Sequence, residues 1–228
     1  GHGSCQRGGR GYGGHIFCTG SEYRHSDLML NPPSGSLRFA LGIEYDGSRF
    51  FGWQAQSDQR TVQGVLEAAL SRVANQKITV ICAGRTDTGV HALEQVVHFD
   101  TTAERSCFTW VMGGNANLPE DVKIIWANPA LPDFHARYSA IARFYRYIIL
   151  NRTVNTALQP RQFTWCPLPL DEMRMQAAGN YLLGEHDFTS FRAQGCQSKS
   201  PNRLIYFLNV YREADKVIMD ISANAFLH

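Results

Sequence analysis

Residues 61–84 read TVQGVLEAALSRVANQKITVICAG, an amphipathic segment followed by a run of β-branched residues. The first part repeats apolar residues at three- and four-residue spacing, which predicts a helix over residues 61–75 with Thr61 as its N-cap. The second part, residues 77–84, predicts a strand whose carboxyl end leads into a polar loop. A helix followed at once by a strand indicates a mixed α and β unit.

The flanking sequence extends this pattern in both directions. Alternating apolar residues predict a strand over residues 37–47, and further apolar runs predict strands over 94–100 and 122–128. Residues 104–114 predict a short helix that ends at Gly113-Gly114. The resulting order, β-α-β-β-α-β, is that of ferredoxin-like and RRM-type domains, which place two helices on one face of an antiparallel sheet.

The same order then begins again. A strand is predicted over residues 143–150, a helix over 170–184, and a hairpin from 203–212 and 216–224 joined through Glu-Ala-Asp. We therefore expect an α+β protein of two ferredoxin-like units, with sheets flanking a central cleft and the second unit truncated at its C-terminus. The predicted segments are a disordered or non-family extension at 1–36, a first unit at 37–140 and an incomplete second unit at 141–228.

Composition narrows the function classes. Hydrophobic residues make up 44% of the 228-residue chain and charged residues 18%, which predicts a folded protein. No apolar run approaches the length of a membrane helix. Eighteen arginines against four lysines mildly favour RNA or phosphate ligands, although a general preference for arginine would give the same count. The six scattered cysteines suggest a reducing, cytoplasmic location, and none has the spacing of a zinc site.

Residues 83–92, AGRTDTGVHA, carry the candidate chemistry. Asp87 has three interpretations: a turn aspartate, half of an aspartic protease dyad, or a nucleophile. A dyad needs a second such loop and one protonated partner, and Arg85 would instead keep the carboxylate ionised. The nucleophile interpretation suits Arg85 better, because a guanidinium stabilises the charged form that attacks.

The decamer closely resembles the catalytic motif of the tRNA pseudouridine synthase A family. The resemblance runs from about Leu37 to His228 and includes ALGIEYDGSRFFGWQ, QVVHFDT, NANLP, FHARYSAIARFYRYII, GEHDFTSFRA and ISANAFLH. Family members continue past this point with another helix and strand, including a basic residue of the active site.

The resemblance implies a cofactor-free isomerase, with no metal, that converts uridine to pseudouridine at positions 38–40 of the tRNA anticodon stem-loop. It also implies a cytoplasmic homodimer with no membrane association. By motif position, Asp87 resembles the nucleophile, and Arg85 resembles its partner, which fills the space of the flipped nucleotide. Tyr145 resembles the tyrosine that stacks on uracil and moves a proton.

Substrate binding is predicted for Arg85, Tyr145, Arg49 and Arg143. A wider set of arginines could follow the RNA phosphates as a group: Arg49, Arg60, Arg137, Arg143, Arg146, Arg192 and Arg203. The alternative function is a non-catalytic RRM-like RNA-binding module, although the RNP string that marks such domains does not occur in this sequence.

Overall fold

The computed structural model describes the backbone of residues 14–17 together with residues 33, 35–158, 161–192 and 200–227. The strands in these residues are β1 Gly14–Phe17, β2 Leu37–Tyr45, β3 Ile81–Cys82, β4 His91–Thr101, β5 Val122–Ala130, β6 Arg143–Asn151, β7 Thr164–Cys166, β8 Gly184–Asp187, β9 Asn202–Glu213 and β10 Lys216–Ala223. The α-helices are α1 Val62–Ala74, α2 Cys107–Asn117 and α3 Glu172–Gly179.

The first unit has the predicted β-α-β-β-α-β order. Its strands β2, β3, β4 and β5 form an antiparallel sheet in which β2 lies between β5 and β4 and β3 pairs with the other edge of β4. Helices α1 and α2 pack on each other, and their buried side chains join those of the strands in one core. The ferredoxin-like architecture predicted for this unit is confirmed.

Helix α1 begins where the sequence predicts. The Thr61 hydroxyl accepts a hydrogen bond from the backbone N–H of Gly64, which satisfies one of the free amides of the first turn. The helix ends at Asn75, whose φ of 52° is the left-handed conformation that asparagine tolerates. Leu66 and Leu70 are fully buried against the sheet.

The strand predicted over residues 77–84 shrinks to Ile81–Cys82. The reason is that side chains of α1 accept hydrogen bonds from backbone N–H groups of residues 77–80, which in a longer strand would bond to the neighbouring strand. Ser71 accepts from the N–H of Ile78, and Glu67 accepts from the N–H of Val80. Residues 77–80 are therefore anchored to the helix and not to the sheet.

The predicted end of α2 is wrong by three residues, because the helix passes through Gly113-Gly114 to Asn117. A Cβ atom on Gly114 would lie 2.3 Å from Cδ1 of Ile124, so this glycine lets the helix approach β5 closely. Pro119 follows the cap residue Leu118, and proline disfavours helical backbone in the residue before it.

The second unit contains β6, α3, β8, β9 and β10, with its own core of Phe188, Ile205, Leu208, Val210, Val217 and Ala223. The predicted hairpin is formed by β9 and β10, and Ala214 turns the chain with a φ of 52°. The predicted helix over 170–184 is shorter, because a 3₁₀ turn follows it at Asn180–Leu182 and β8 begins at Gly184. Strands β7 and β8 are additions that apolar periodicity did not indicate.

Strand β1 joins the two units into one ten-stranded sheet. It pairs parallel with β4 and antiparallel with β6, and so lies between the two units. The segment 1–36, predicted to be a disordered or non-family extension, thus contains a strand at Gly14–Phe17. Most of that segment lies outside the described residues, and the division at 36 and 140 stays a prediction.

None of the described helices has the length and apolar character needed to cross a membrane.

The segment between the units is fixed to the sheet by buried polar groups. Arg38 pairs with Asp100 and donates to the backbone carbonyls of Pro132 and Phe134. His98, 2% exposed, accepts from the N–H of Ala136 through Nδ1, 3.1 Å away, and its ring lies 4.7 Å from that of His135. Burial, reinforced by repulsion from His135 and Arg38, lowers the pKa of His98 to about 4.

We predict that His98 makes the fold acid-sensitive. The unfolded chain binds a proton at His98 below about pH 6.5, whereas the folded chain does so only near pH 4, so stability falls across this window as the pH is lowered. Between pH 7 and pH 5 this group should remove about 2 kcal/mol of unfolding free energy. Urea unfolding of the wild type and His98→Gln at both pH values measures it. The variant should lose less stability on acidification than the wild type, and equal losses would contradict the assignment.

Candidate active site

A cleft of about 1020 Å³ opens between the two units. The first unit contributes residues 51–54 and 80–88 to its lining, and the second unit contributes Tyr145, Arg203, Ile221 and residues 225–227. Asp87, Arg85 and Tyr145, which the sequence motifs single out, all line it. The structure therefore brings the three predicted catalytic residues to one open site.

The loop after β3 alternates in exposure. Arg85 and Asp87 are exposed, whereas Thr86 between them is 6% exposed. The hydroxyl of Thr86 lies 2.8 Å from the phenol oxygen of Tyr45, and its carbonyl accepts from the N–H of Trp53 at 2.9 Å. Because Thr86 is anchored in the core, its two neighbours are held toward the cleft.

A second anchor holds the start of this loop. The amide of Gln95, which is fully buried on β4, bonds both backbone groups of Gly84: Nε2 donates to the carbonyl and Oε1 accepts from the N–H at 3.3 Å. Burial raises the pKa of Tyr45, although hydrogen bonds to Thr86 and Gln95 act in the opposite direction. Tyr45 therefore stays protonated, and a neutral polar network lies beneath Asp87.

Gly52 lets the neighbouring loop touch the Asp87 loop backbone to backbone. Its φ is +80°, and a Cβ atom there would lie 2.8 Å from the Thr86 carbonyl oxygen and 3.3 Å from the Asp87 carbonyl carbon. A side chain at this position would push the Asp87 loop away. Residues 50–54 and 84–88 thus pack as one unit.

The predicted partnership of Arg85 with Asp87 is not formed in this structure. No ion pair within 4.0 Å connects the two side chains in the part of the chain that the structure describes. Both side chains face the cleft from alternate positions of one loop. The carboxylate-partner role of Arg85 stays a prediction, as does its role in nucleotide flipping.

Tyr145 reaches the cleft from β6 in the second unit. Its ring packs edge-on against Phe226, with centroids 4.6 Å apart and planes at 78°, and it also contacts the core of the first unit. Tyr145 and Asp87 therefore face one cavity from different units.

The two other predicted substrate-binding arginines occupy different positions. The guanidinium of Arg143 donates to three backbone carbonyls, those of Ala83, Arg137 and Asn224, at 2.8–3.1 Å. It lines the cleft while tying the Asp87 loop to the second unit. Arg49 lies outside the cleft lining, where its 69%-exposed side chain pairs with Glu120 at 3.4 Å.

The wider arginine group divides in the same way. Arg137 and Arg203 line the cleft together with Arg143. Arg60 and Arg146 instead pair with Asp121 and Asp220 at 2.8 and 2.7 Å. Sequence alone gave no means of separating these members.

Two histidines of the first unit, His91 inside the motif and His135, are packed residues. His91 is 4% exposed, and its Nδ1 lies 3.0 Å from the Asp46 carboxylate. His135 is 6% exposed, and its Nδ1 accepts from the backbone N–H of Arg137 and of Tyr138. Across the described residues no group of three or more His, Cys, Asp or Glu side chains is placed to hold a metal ion.

Sequence reasoning missed the residues that position the loop. Tyr45 and Gln95 lie in predicted strands and seemed ordinary there, although a glutamine at an inward position of an apolar strand is a usable signal. The contact of Gly52 with the Asp87 loop could not be predicted, because it depends on a residue 34 positions away in the chain.

Comparison with known proteins identifies the family. The sequence profile described as tRNA pseudouridine synthase matches residues 42–139 and 178–228, more than half of the chain. The chain belongs to the tRNA pseudouridine synthase family. The match covers the Asp87 loop, and it does not favour the alternative of a non-catalytic RNA-binding module.

Three bacterial relatives, each named tRNA pseudouridine synthase A, illustrate the similarity. The protein of Methylococcus capsulatus is 62% identical over 192 residues, which cover 84% of this chain and 71% of the relative. That of Nitrosococcus oceani is 59% identical over 192 residues, 84% of this chain and 74% of the relative. That of Coxiella burnetii is 55% identical over 190 residues, covering 83% and 73%.

Gly52→Ala tests whether the two loops pack as one unit. The matched control is Gly89→Ala, because Gly89 has nearly the same φ, +81°, but nothing within 4 Å of its Cβ position. Both variants carry the cost of a left-handed alanine, about 1–2 kcal/mol. We predict that Gly52→Ala loses at least about 1 kcal/mol more, because the Thr86 carbonyl must move. Equal unfolding free energies for the two variants would contradict the close contact.

Proposed function

We propose that this chain isomerises uridine to pseudouridine at positions 38–40 of the tRNA anticodon stem-loop, with Asp87 as nucleophile and without a cofactor. The observation that carries the proposal is the placement of Asp87. Its carboxylate is exposed at a cleft shared with Arg85 and Tyr145, on a loop anchored by buried hydrogen bonds. Family membership supplies the reaction class, and the geometry supports the roles.

The charge of the cleft suits an RNA strand. Four arginines line it, Arg85, Arg137, Arg143 and Arg203, whereas Asp87 is the single acidic residue among its described lining residues. Guanidinium groups bind phosphate oxygens through paired N–H donors. A polyanion is therefore drawn to the site, and one carboxylate is left to meet the sugar or base.

The target uridine must leave its base stack to reach Asp87. Extrusion costs a few kcal/mol, and stacking on an aromatic face returns about 1–3 kcal/mol per base. The ring of Tyr145 provides such a face at the cleft. We assign the filling of the vacated space and contact with the flanking phosphates to Arg85, which is exposed and lines the cleft.

The chemistry follows from a carboxylate held close to the nucleotide. Asp87 attacks C1′ of the ribose or C6 of the base, or it assists elimination to a glycal. The bond between N1 and C1′ breaks, the uracil rotates, and a bond forms between C5 and C1′. The bond from Asp87 to C1′ or C6 breaks again, and on the glycal route the proton taken from C2′ of the ribose is returned. The proton leaves C5 and N1 regains one, so the product is an isomer of the substrate. We assign the relay of the departing proton to Tyr145, which lines the same cleft as Asp87.

The proposal includes the cellular location and the oligomeric state of the enzyme. The family resemblance supports a homodimer that acts on tRNA in the cytoplasm. The cysteines at positions 82, 107 and 166 are free thiols, which is compatible with a reducing compartment. Sedimentation of the purified chain measures the oligomeric state.

Removal of the Asp87 carboxylate tests the nucleophile. Wild type, Asp87→Ala and Asp87→Asn are incubated with unmodified tRNA that carries tritium at C5 of its uridines, and released tritium is counted. We expect release by the wild type and none by either variant, with tRNA binding largely retained. Asp87→Asn keeps the shape and removes the charge, so its inactivity would assign the role to the charge. Equal release by all three would reject the nucleophile.

Arg85→Lys tests the planar fork of the guanidinium. Lysine keeps the charge but cannot bind a phosphate through two parallel N–H groups. We expect kcat/KM to fall about ten- to a hundredfold, the range for losing a charge-assisted hydrogen bond. Arg72→Lys, an exposed substitution on α1 away from the cleft, is the control and should match the wild type. Wild-type kinetics in Arg85→Lys would contradict the role.

A further inference from the structure

The aromatic residues before the Asp87 loop differ sharply in exposure. Phe50 and Trp53 are each 2% exposed and belong to the core of the first unit, whereas Phe51 between them is 52% exposed and lines the cleft. An exposed phenylalanine is common on protein surfaces, but this one faces the cavity that contains Asp87.

Phe51 cannot turn back into the core, because its backbone is fixed on both sides. Its N–H donates to the carbonyl of Arg60 at 2.9 Å, and the carbonyl of Gly52 accepts from Val62 at 3.2 Å. The N–H of Trp53 is bound by Thr86. The buried rings of Phe50 and Trp53 anchor the same segment, so Phe51 stays in the cleft.

The same contacts fix Phe51 relative to Asp87. Gly52, its neighbour, touches the backbone of Thr86 and Asp87, and the Gly52→Ala comparison above tests that contact. The ring of Phe51 and the side chain of Asp87 therefore line the same cleft from two loops whose backbones are in contact. Tyr145, the other aromatic face predicted to hold a base, enters the cleft from the second unit.

We propose that Phe51 stacks on a second nucleobase of the RNA, adjacent in the strand to the extruded target. This rests on the proposed function. Extrusion of one base from a helix removes the stacking partner of its neighbour, and an aromatic ring can replace that partner. The four arginines in the cleft favour a polyanionic occupant over an apolar peptide. Stacking on Phe51 involves no hydrogen bonds to the edge of the base, so any of the four bases can occupy this position.

Binding without turnover tests the proposal. The ligand is an unmodified anticodon stem-loop RNA with fluorescein at its 5′ end, and the measurement is the Kd by fluorescence anisotropy. In the full chain, Phe51→Ala and Phe51→Leu should bind about five- to a hundredfold more weakly than the wild type, whereas Phe51→Tyr should bind within about twofold. Leucine keeps the apolar volume without a π face. Phe108→Ala, a 73%-exposed phenylalanine on α2 outside the cleft lining, is the control and should match the wild type.

An abasic substitution then locates the stacked base. Removing the base next to the target should weaken binding to the wild type and leave Phe51→Ala unaffected, because the two changes delete one interaction. Additive losses, or binding by Phe51→Leu equal to the wild type, would overturn the stacking role while leaving the isomerase proposal in place. A wild type that neither binds the RNA nor releases tritium would instead reject the proposed function itself.

Discussion

The site depends on the buried hydrogen bonds that anchor the Asp87 loop to the core of the first unit. The buried hydroxyl of Thr86 meets that of Tyr45, and the buried amide of Gln95 bonds both backbone groups of Gly84. These groups carry no net charge, so they can fix the loop in the core without the cost of burying an ion. The charged side chains of this loop, Arg85 and Asp87, are then exposed to solvent at the cleft. A carboxylate at the end of a freely moving loop would lose this orientation, and orientation contributes strongly to a reaction between bound groups.

The site also requires a fixed relative position of the two units, because the cleft is lined by residues of both. Arg143 donates to Ala83 beside the Asp87 loop, to Arg137 in the connecting segment and to Asn224 after β10. Arg38 and His98 fasten the same connecting segment to the first sheet. Tyr145 lies two residues beyond Arg143 on β6, so both side chains are on one face of that strand, and both line the cleft. The guanidinium of Arg143 is largely engaged with the protein, and that of Arg203 donates to the backbone carbonyls of Ser200 and Asn202. Arg85 and Arg137, both exposed, are therefore the cleft arginines better placed to meet phosphate.

Much of the fold could be predicted from patterns among residues that are adjacent in the sequence. The cap at Thr61, the period of α1 and the alternation of β2 are properties of adjacent residues, and all were predicted. Errors arose where a distant residue competes with the local preference. Ser71 and Glu67 draw residues 77–80 away from the sheet, and the contact of Gly114 with Ile124 turns an expected helix stop into a packing site. The motif led to the candidate site residues Asp87, Arg85 and Tyr145, but not to Tyr45, Gln95 and Gly52, because their roles are contacts across the fold. The exposed position of Arg49 likewise follows from tertiary structure alone.

The central claim is that Asp87 meets the reacting nucleotide directly while Tyr145 stacks on the extruded base. A crystal structure of the inactive Asp87→Asn protein bound to an anticodon stem-loop RNA tests it most directly. We expect the target uridine to lie outside the helix, with its C1′ or C6 atom within about 3–3.5 Å of the residue 87 side chain and its base stacked on Tyr145. A target uridine that remains paired in the stem, or that binds away from residue 87, would contradict it.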